Sequence, residues 1–367
     1  MSDNFEYKDQ KRLLHDALEF AKFSRRSFLA AAGAVGAGTV LGAKRSFADA
    51  GDIQVAQSGG KVRVGIPLNY GPFNQPWRRG CWQLVKTVLD MGGEPVTVRG
   101  EPSKQSEQEA ELALLDRDID VLCLGIYSQE SETAFIVDQA KAKGIKTIGF
   151  AVPVKESPAV VEDSFATGIT MGYYVQNRLQ RQGSIVQTAE DKGFYTPFDM
   201  EADTVDMMTK YESRMKMLPF LPGSVSTQDQ ISKGRENALA LLEANPEPGS
   251  VNAFISWWWP LTLGAGQAMT QLGRDDVLLF NHYFSDQLLQ AMVNKQVKIE
   301  FSTDVPWHLI GQKTGELAMA LGRGETVDPY IYHVPVTAIV AAEAEKALAD
   351  VQAMDAQAIA LLKEYGG

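Results

Sequence analysis

An α/β chain folded as two mostly parallel-sheet units is what this sequence predicts. From residue 61 onward, short β-branched runs alternate with longer segments of helical periodicity, a rhythm that places crossover helices on both faces of a sheet. The chain has 367 residues, more than one hydrophobic core usually organises, so the rhythm divides between two cores. No low-complexity linker interrupts it, and the units are therefore expected to be joined by several strand-like crossovers rather than by one tether.

The elements follow in order. Residues 61–68 (KVRVGIPL) read as a strand that ends in a Gly/Pro/Asn loop. Pro76 suits a first helical position, where its missing N–H costs nothing, with Asn74 or Gln75 as cap, and 77–91 continues with apolar residues at helical spacing. Strand 94–98, helix 104–115, strand 120–126, helix 130–143 and strand 146–152 complete the first unit. The second runs through helix 167–180, strand 184–188, helix 201–215, strand 221–225, helix 229–243, strand 253–257, helix 261–271, strand 277–281 and helix 286–294. Strand 299–303 leads into helix 308–321, and an extended stretch, 330–340, precedes an Ala-rich helix, 342–364.

The first fifty residues read differently. Ser24-Arg25-Arg26-Ser27-Phe28-Leu29 stands ahead of an uncharged Ala/Gly-rich run to Ala43 and a small-x-small pattern, Ala48-Asp49-Ala50. This resembles a bacterial twin-arginine export signal, which implies the twin-arginine translocase as a partner, residues 1–50 as signal peptide, and a periplasmic product starting near Gly51. No cysteine stands at the junction to carry a lipid anchor, and residues 9–23 ahead of the motif can form one amphipathic helix.

Charge and motifs exclude several functions. The net charge of −11 becomes about −13 without the leader, the wrong sign for a phosphate-backbone binder, so nucleic acid is not expected as a partner. There is no phosphate-cradling Gly-x-x-x-x-Gly-Lys-Ser/Thr, no Gly-x-Ser-x-Gly elbow and no His-Glu-x-x-His, so no cofactor and no enzymatic activity are expected. Cys81 and Cys123 read as buried small hydrophobes. Outside the leader, His282, His308 and His333 lie on separate segments without metal-ligand spacing, so no metal is expected either.

Several segments together resemble one family. The Asn74-Gln75-Pro76-Trp77 loop after the first strand, the stretch KAKGIKTIGF (141–150), the run ISKGRENALALLEANPEPGSVNAFIS (231–256) and VPWHLIGQKTGELAMALGRGE (305–325) are similar, in order and spacing, to the ribose-binding type of periplasmic solute-binding proteins. The resemblance implies two doubly wound parallel-sheet lobes joined by three crossovers. Lobe 1 would hold 58–160 plus 305–333, lobe 2 would hold 161–304 plus 334–345, and 346–367 would form a carboxy-terminal helix. It also implies a monomeric receptor that clasps a sugar or polyol between the lobes and delivers it to an inner-membrane ABC permease.

Under that mapping the cleft is lined by Tyr70, Phe73, Asn74 and Trp77 from the first loop, Tyr127 and Ser128 after the third strand, and Asp191, Trp257, Trp258, Trp259, Asn281 and His282 from the second lobe. Asp304 lies at the last crossover. Flat rings suit sugar C–H faces, and planar polar groups suit hydroxyls. Three adjacent indoles cannot all face one side, so at least one of Trp257 to Trp259 is expected at the ligand and the others in the core. Where the ribose type carries an Asp-Arg pair after the fourth strand, this chain has Ala151-Val152-Pro153. That loss of a basic grip keeps open a second reading, a periplasmic sensor for a methylated amine, partnered with a receptor kinase.

Overall fold

The computed structural model describes residues 7–36, 60–71, 75–127, 130–223, 229–328 and 330–366, with side chains of the first helix placed to residue 22. After α1 (Tyr7–Gly36) come β1 (Arg63–Asn69), α2 (Gln75–Asp90), β2 (Glu94–Gly100), α3 (Lys104–Leu115), β3 (Val121–Leu124), α4 (Glu130–Ala142), β4 (Lys146–Ala151) and β5 (Ala159–Glu162). Then follow α5 (Ser164–Arg178), β6 (Gly183–Ala189), α6 (Thr196–Lys210), β7 (Met215–Met217), β8 (Leu221–Pro222), α7 (Gln230–Ala244), β9 (Ala253–Ser256), α8 (Trp259–Leu272), β10 (Leu278–His282), α9 (Asp286–Val293) and β11 (Ile299–Asp304). The chain closes with α10 (Trp307–Gly322), β12 (Ile331–Val334), β13 (Thr337–Val340) and α11 (Ala344–Glu364).

Two sheets result. One has the order β12-β5-β4-β3-β1-β2 and is parallel throughout. The other runs β13-β11-β10-β9-β6-β7, with β8 also on β6, and is parallel except for its edge strand β13, which meets β11 antiparallel. The chain passes between the sheets after β5, after β11 and after β12. In each sheet a strand order that reverses, at β1 and at β6, opens a crevice at the carboxyl ends of the strands.

Helices cover both faces. In the first lobe α2 packs on α10, and the approach is close because Gly311 sits against the Gly80 carbonyl, where any Cβ would collide. In the second lobe α7 packs on α8 in the same manner, with Gly264 against the Ile231 carbonyl. The carboxy-terminal α11 lies on α2 of the first lobe and on α9 of the second, so it spans the two.

The structure departs from the sequence reading in four places. β5 was not expected, because the four-residue run Ala-Val-Val-Glu is too short to show a period, and all four residues are buried. α6 starts at Thr196 rather than 201, since Pro197 occupies its first turn, and it ends at Lys210. Met215, expected as the last residue of that helix, instead opens β7 (Met215–Met217). The extended stretch 330–340 is two strands, one in each sheet.

The amino-terminal helix packs on the second lobe. Leu14, Ala17 and Ala21 are buried, Ala21 in a cluster with Ala166 and Ile169 of α5, while the Phe20 and Tyr173 rings meet at 4.8 Å and Lys11 pairs with Glu343 at 2.8 Å. Leu14, Ala17 and Ala21 recur at three- and four-residue spacing, the apolar stripe of an amphipathic helix. The Arg25-Arg26 pair lies in the backbone-only part of α1, and the Ala48-Asp49-Ala50 pattern lies outside the described residues.

Candidate functional site

Strand ends and the loops after them build the space between the lobes. Two buried carboxylates of α3 fix the loop after β3: Glu111 accepts the Gly125 N–H at 2.9 Å, and Glu107 accepts those of Ile126 at 3.0 Å and Tyr127 at 2.8 Å. Tyr127 is thereby held edge-on to Trp77, with ring centroids 4.6 Å apart. From the second lobe, Trp258 stacks on Trp77 at 6.2 Å, Tyr195 meets Trp77 at 6.3 Å, and Tyr283 meets Trp307 at 6.2 Å. Tyr283 turns through a left-handed backbone, φ 72°, and Ala151 at the end of β4 does the same at φ 69°. Side chains rarely adopt that region, and such residues gather at functional sites.

Beside these rings lies a cavity of about 360 Å³, lined among others by Tyr127, Val152, Pro153, Glu162, Phe194, Tyr195, Met200 and His333. The loop Ala151-Val152-Pro153, where the ribose type would place its basic pair, therefore presents an apolar wall. The Nε1 atoms of Trp77 and Trp307, the Tyr127 hydroxyl and the Gln75 Oε1 are buried without a hydrogen-bond partner among the described residues. Buried polar groups are rarely left so, and at a cleft they are the groups a ligand satisfies.

The expected site residues divide. Trp77, Tyr127 and Trp258 meet at the interface of the lobes. Tyr70 is buried beneath the Arg99 guanidinium, 4.1 Å from its ring centre. Trp257 is fully buried inside the second lobe, donating to Gln187 Oε1 at 2.8 Å, and Trp259 is fully buried at the start of α8. Asn281 is saturated within the lobe by Thr262, Ser302 and the Tyr283 carbonyl. Asp191 is exposed on its loop, whereas its neighbour Glu190 is buried. Asp304 accepts the Phe284 N–H at 2.7 Å and lines a second cavity, of about 290 Å³, with Arg79, Trp307 and His308. Burial pushes the Asp304 carboxyl up to about 6, against the pull of Arg79. Phe73, Asn74 and Ser128 lie outside the described residues.

His282 is fully buried, its Nδ1 2.8 Å from Thr303 Oγ1 and its Nε2 directed at Glu201 and Glu162. Burial alone would lower its pKa, but the Glu201 carboxylate and then Glu162 raise it. Sequence reasoning missed Glu162, Glu190, Glu201, Tyr195 and Tyr283. The only signal for them was a carboxylate or phenol at or just after a strand end, or at one turn into a helix, which surface residues share.

Trp258 donates to Gln230 Oε1 at 2.9 Å, and Gln230 donates in turn to Glu190 Oε1 at 2.5 Å. Burial pushes the Glu190 carboxyl up to about 8 from an ordinary 4.5, with Gln230 pulling it down and Asp191 pushing it up. Between those values the native state holds a proton the unfolded chain has released, so this group makes stability fall as pH rises from 4.5 to 8, by up to ~1.4 kcal/mol per pH unit. Glu190→Gln is expected to remove that slope. Urea unfolding at pH 5 and pH 8 should show the variant gaining ~3 kcal/mol on the wild type across the interval. Parallel curves would mean that Glu190 titrates normally.

Two parallel-sheet lobes, linked three times and facing each other across rings and unpartnered polar atoms, define a hinged receptor for a small molecule. Residues 66–326 match the family model described as periplasmic binding protein domain, and the chain belongs to that family. Solved structures with the same fold include three whose descriptions name bound ligands. One is an ABC transporter solute-binding protein from Agrobacterium vitis with allitol, 20% identical, TM-score 0.67, covering 79% of this chain and 99% of that one. Another is the arabinose-transporter binding protein of Shewanella sp. ANA-3 with L-arabinofuranose, at 16% identity, TM-score 0.69 and coverage of 82% and 98%. The third is a Bacillus halodurans solute-binding protein with myo-inositol, at 14% identity, TM-score 0.68 and coverage of 80% and 99%. No curated protein matches the chain.

Proposed function

We propose that this protein is the substrate-binding receptor of an ABC importer, that it takes a neutral sugar or polyol between its lobes, and that it presents the closed form to a membrane permease. The observation that carries this reading is the interlobe cluster, where Trp77 meets Trp258 and Trp307 and where, among the described residues, Trp77 Nε1, Trp307 Nε1, Tyr127 hydroxyl and Gln75 Oε1 are buried without partners. Ring C–H faces stack on indoles while hydroxyls satisfy such atoms. The allitol, arabinofuranose and myo-inositol of the similar structures are ligands of this chemistry. The sensor reading draws no support from those matches, whose descriptions name transporters. The receptor is non-enzymatic and monomeric, and the Arg25-Arg26 motif routes it through the twin-arginine translocase to the periplasm.

A thermal-shift screen of sugars, polyols and methylated amines tests this. A true ligand at a hundredfold excess over its Kd stabilises the protein by about 2.7 kcal/mol and raises Tm by several degrees. Intrinsic tryptophan fluorescence should change with the same ligand, because indoles from both lobes meet at the cluster. A shift with a methylated amine, and none with any sugar or polyol, would sink the carbohydrate reading.

A further inference from the structure

Glu162 closes β5 in the first sheet, Glu201 stands one turn into α6, and His282 closes β10 in the second sheet. The fold brings one donor atom from each to within 4.8 Å of the others, all three residues being buried. We propose that Glu162, Glu201 and His282 bind a divalent metal ion of the zinc type, which pins the first sheet to the second.

Three features support it. The first is incomplete bonding: both Glu201 oxygens and His282 Nε2 are buried without a hydrogen-bond partner among the described residues, although they face each other. Two buried carboxylates side by side are costly unless a cation compensates them. A dication with two carboxylates and a neutral imidazole sums to zero charge. The second is spacing. His282 Nε2 lies 3.4 Å from Glu201 Oε1 and 3.9 Å from Glu162 Oε2. The first distance is long for a hydrogen bond. It matches the edge of a tetrahedron with bonds of 2.0–2.1 Å, roughly 3.4 Å, and the second needs only a shift of about half an ångström.

The third is the surrounding support. Metal-bound histidines donate their other ring nitrogen to a fixed acceptor, and His282 Nδ1 has Thr303 Oγ1 at 2.8 Å, which leaves the Nε2 lone pair free to face the carboxylates. Ligating carboxylates are held by hydrogen bonds of their own, and Glu162 accepts from the hydroxyls of Tyr195 at 2.9 Å and Tyr283 at 3.2 Å. Histidine with carboxylates suits a borderline ion such as zinc better than calcium, which takes six to eight oxygens. Glu162 and Tyr195 also line the 360 Å³ cavity, so the ion would lie at the edge of that space.

The test uses the purified full chain stripped with chelator and titrated calorimetrically with Zn²⁺. One equivalent should bind with micromolar or tighter Kd, and X-ray absorption should report nitrogen and oxygen donors with no sulfur. Glu201→Gln and His282→Gln should each weaken binding at least 100-fold. Should either fail to fold, Thr303→Val leaves all three donors in place and should weaken binding about tenfold. Absence of stoichiometric binding at 100 µM Zn²⁺, a sulfur-containing shell, or affinity unchanged in the variants would overturn the proposal. Sugar binding that persists in chelator, without any metal site, would overturn it while leaving the receptor reading intact.

Discussion

Trp258→Ala should weaken binding of the ligand found by the screen at least 100-fold and cost the unliganded protein about 3–5 kcal/mol. The side chain stacks on Trp77 across the lobes, and its Nε1 holds Gln230 in place. Truncation removes both the ring that meets Trp77 between the lobes and a buried hydrogen bond. Because the loss of stability alone could weaken binding, Trp257→Phe serves as comparison. Trp257 is equally buried, but its indole bonds Gln187 inside the second lobe, so that variant should lose stability and keep affinity within a few-fold. Calorimetric titration of both variants decides the matter. Wild-type affinity in Trp258→Ala would place the ligand away from the interlobe cluster.

Arg79→Ala should destabilise the protein by about 3–5 kcal/mol, the usual cost of stripping one partner from a buried ion pair. Arg79 is 3% exposed; its Nε lies 3.1 Å from Asp355 Oδ1 of α11, and its Nη2 donates to the Phe284 carbonyl at 2.9 Å. One guanidinium therefore ties α2 of the first lobe to the loop after β10 in the second and to the helix that spans them. Urea unfolding of Arg79→Ala, Asp355→Ala and the double variant should give a coupling energy of more than about 1 kcal/mol. In the double variant the Arg79–Asp355 pair is gone as a unit, but Arg78, 3.5 Å from Asp355, and the buried Asp304 beside Arg79 each lose a partner, so only part of the loss should be recovered. If Arg79→Ala lies within 1 kcal/mol of wild type, the pair is not a structural tie.

Much of the fold was legible because strand and helix leave local periods. The run KVRVGIPL is β1, the Pro76 signal begins α2 within one residue, and the two-unit reading corresponds to the two sheets. What local pattern missed was short or decided elsewhere: the four residues of β5, and the three of β7, the first of which, Met215, read as the end of a helix. The aromatic part of the site was half legible. Three consecutive indoles announced that at least one belongs at a surface that meets something, yet only packing shows that Trp258 faces Trp77 while Trp257 and Trp259 are interior.

The sequence by itself determined the class of fold, the family and the aromatic character of the cleft, since each is carried by neighbouring residues whose spacing survives in one dimension. The grouping of Glu162, Glu201 and His282 was decided only by the tertiary structure. The three are separated by 39 and 81 positions and sit on three different elements, so no spacing rule links them. They meet because two parallel sheets point their carboxyl ends at one another, a relation set by how the lobes pack.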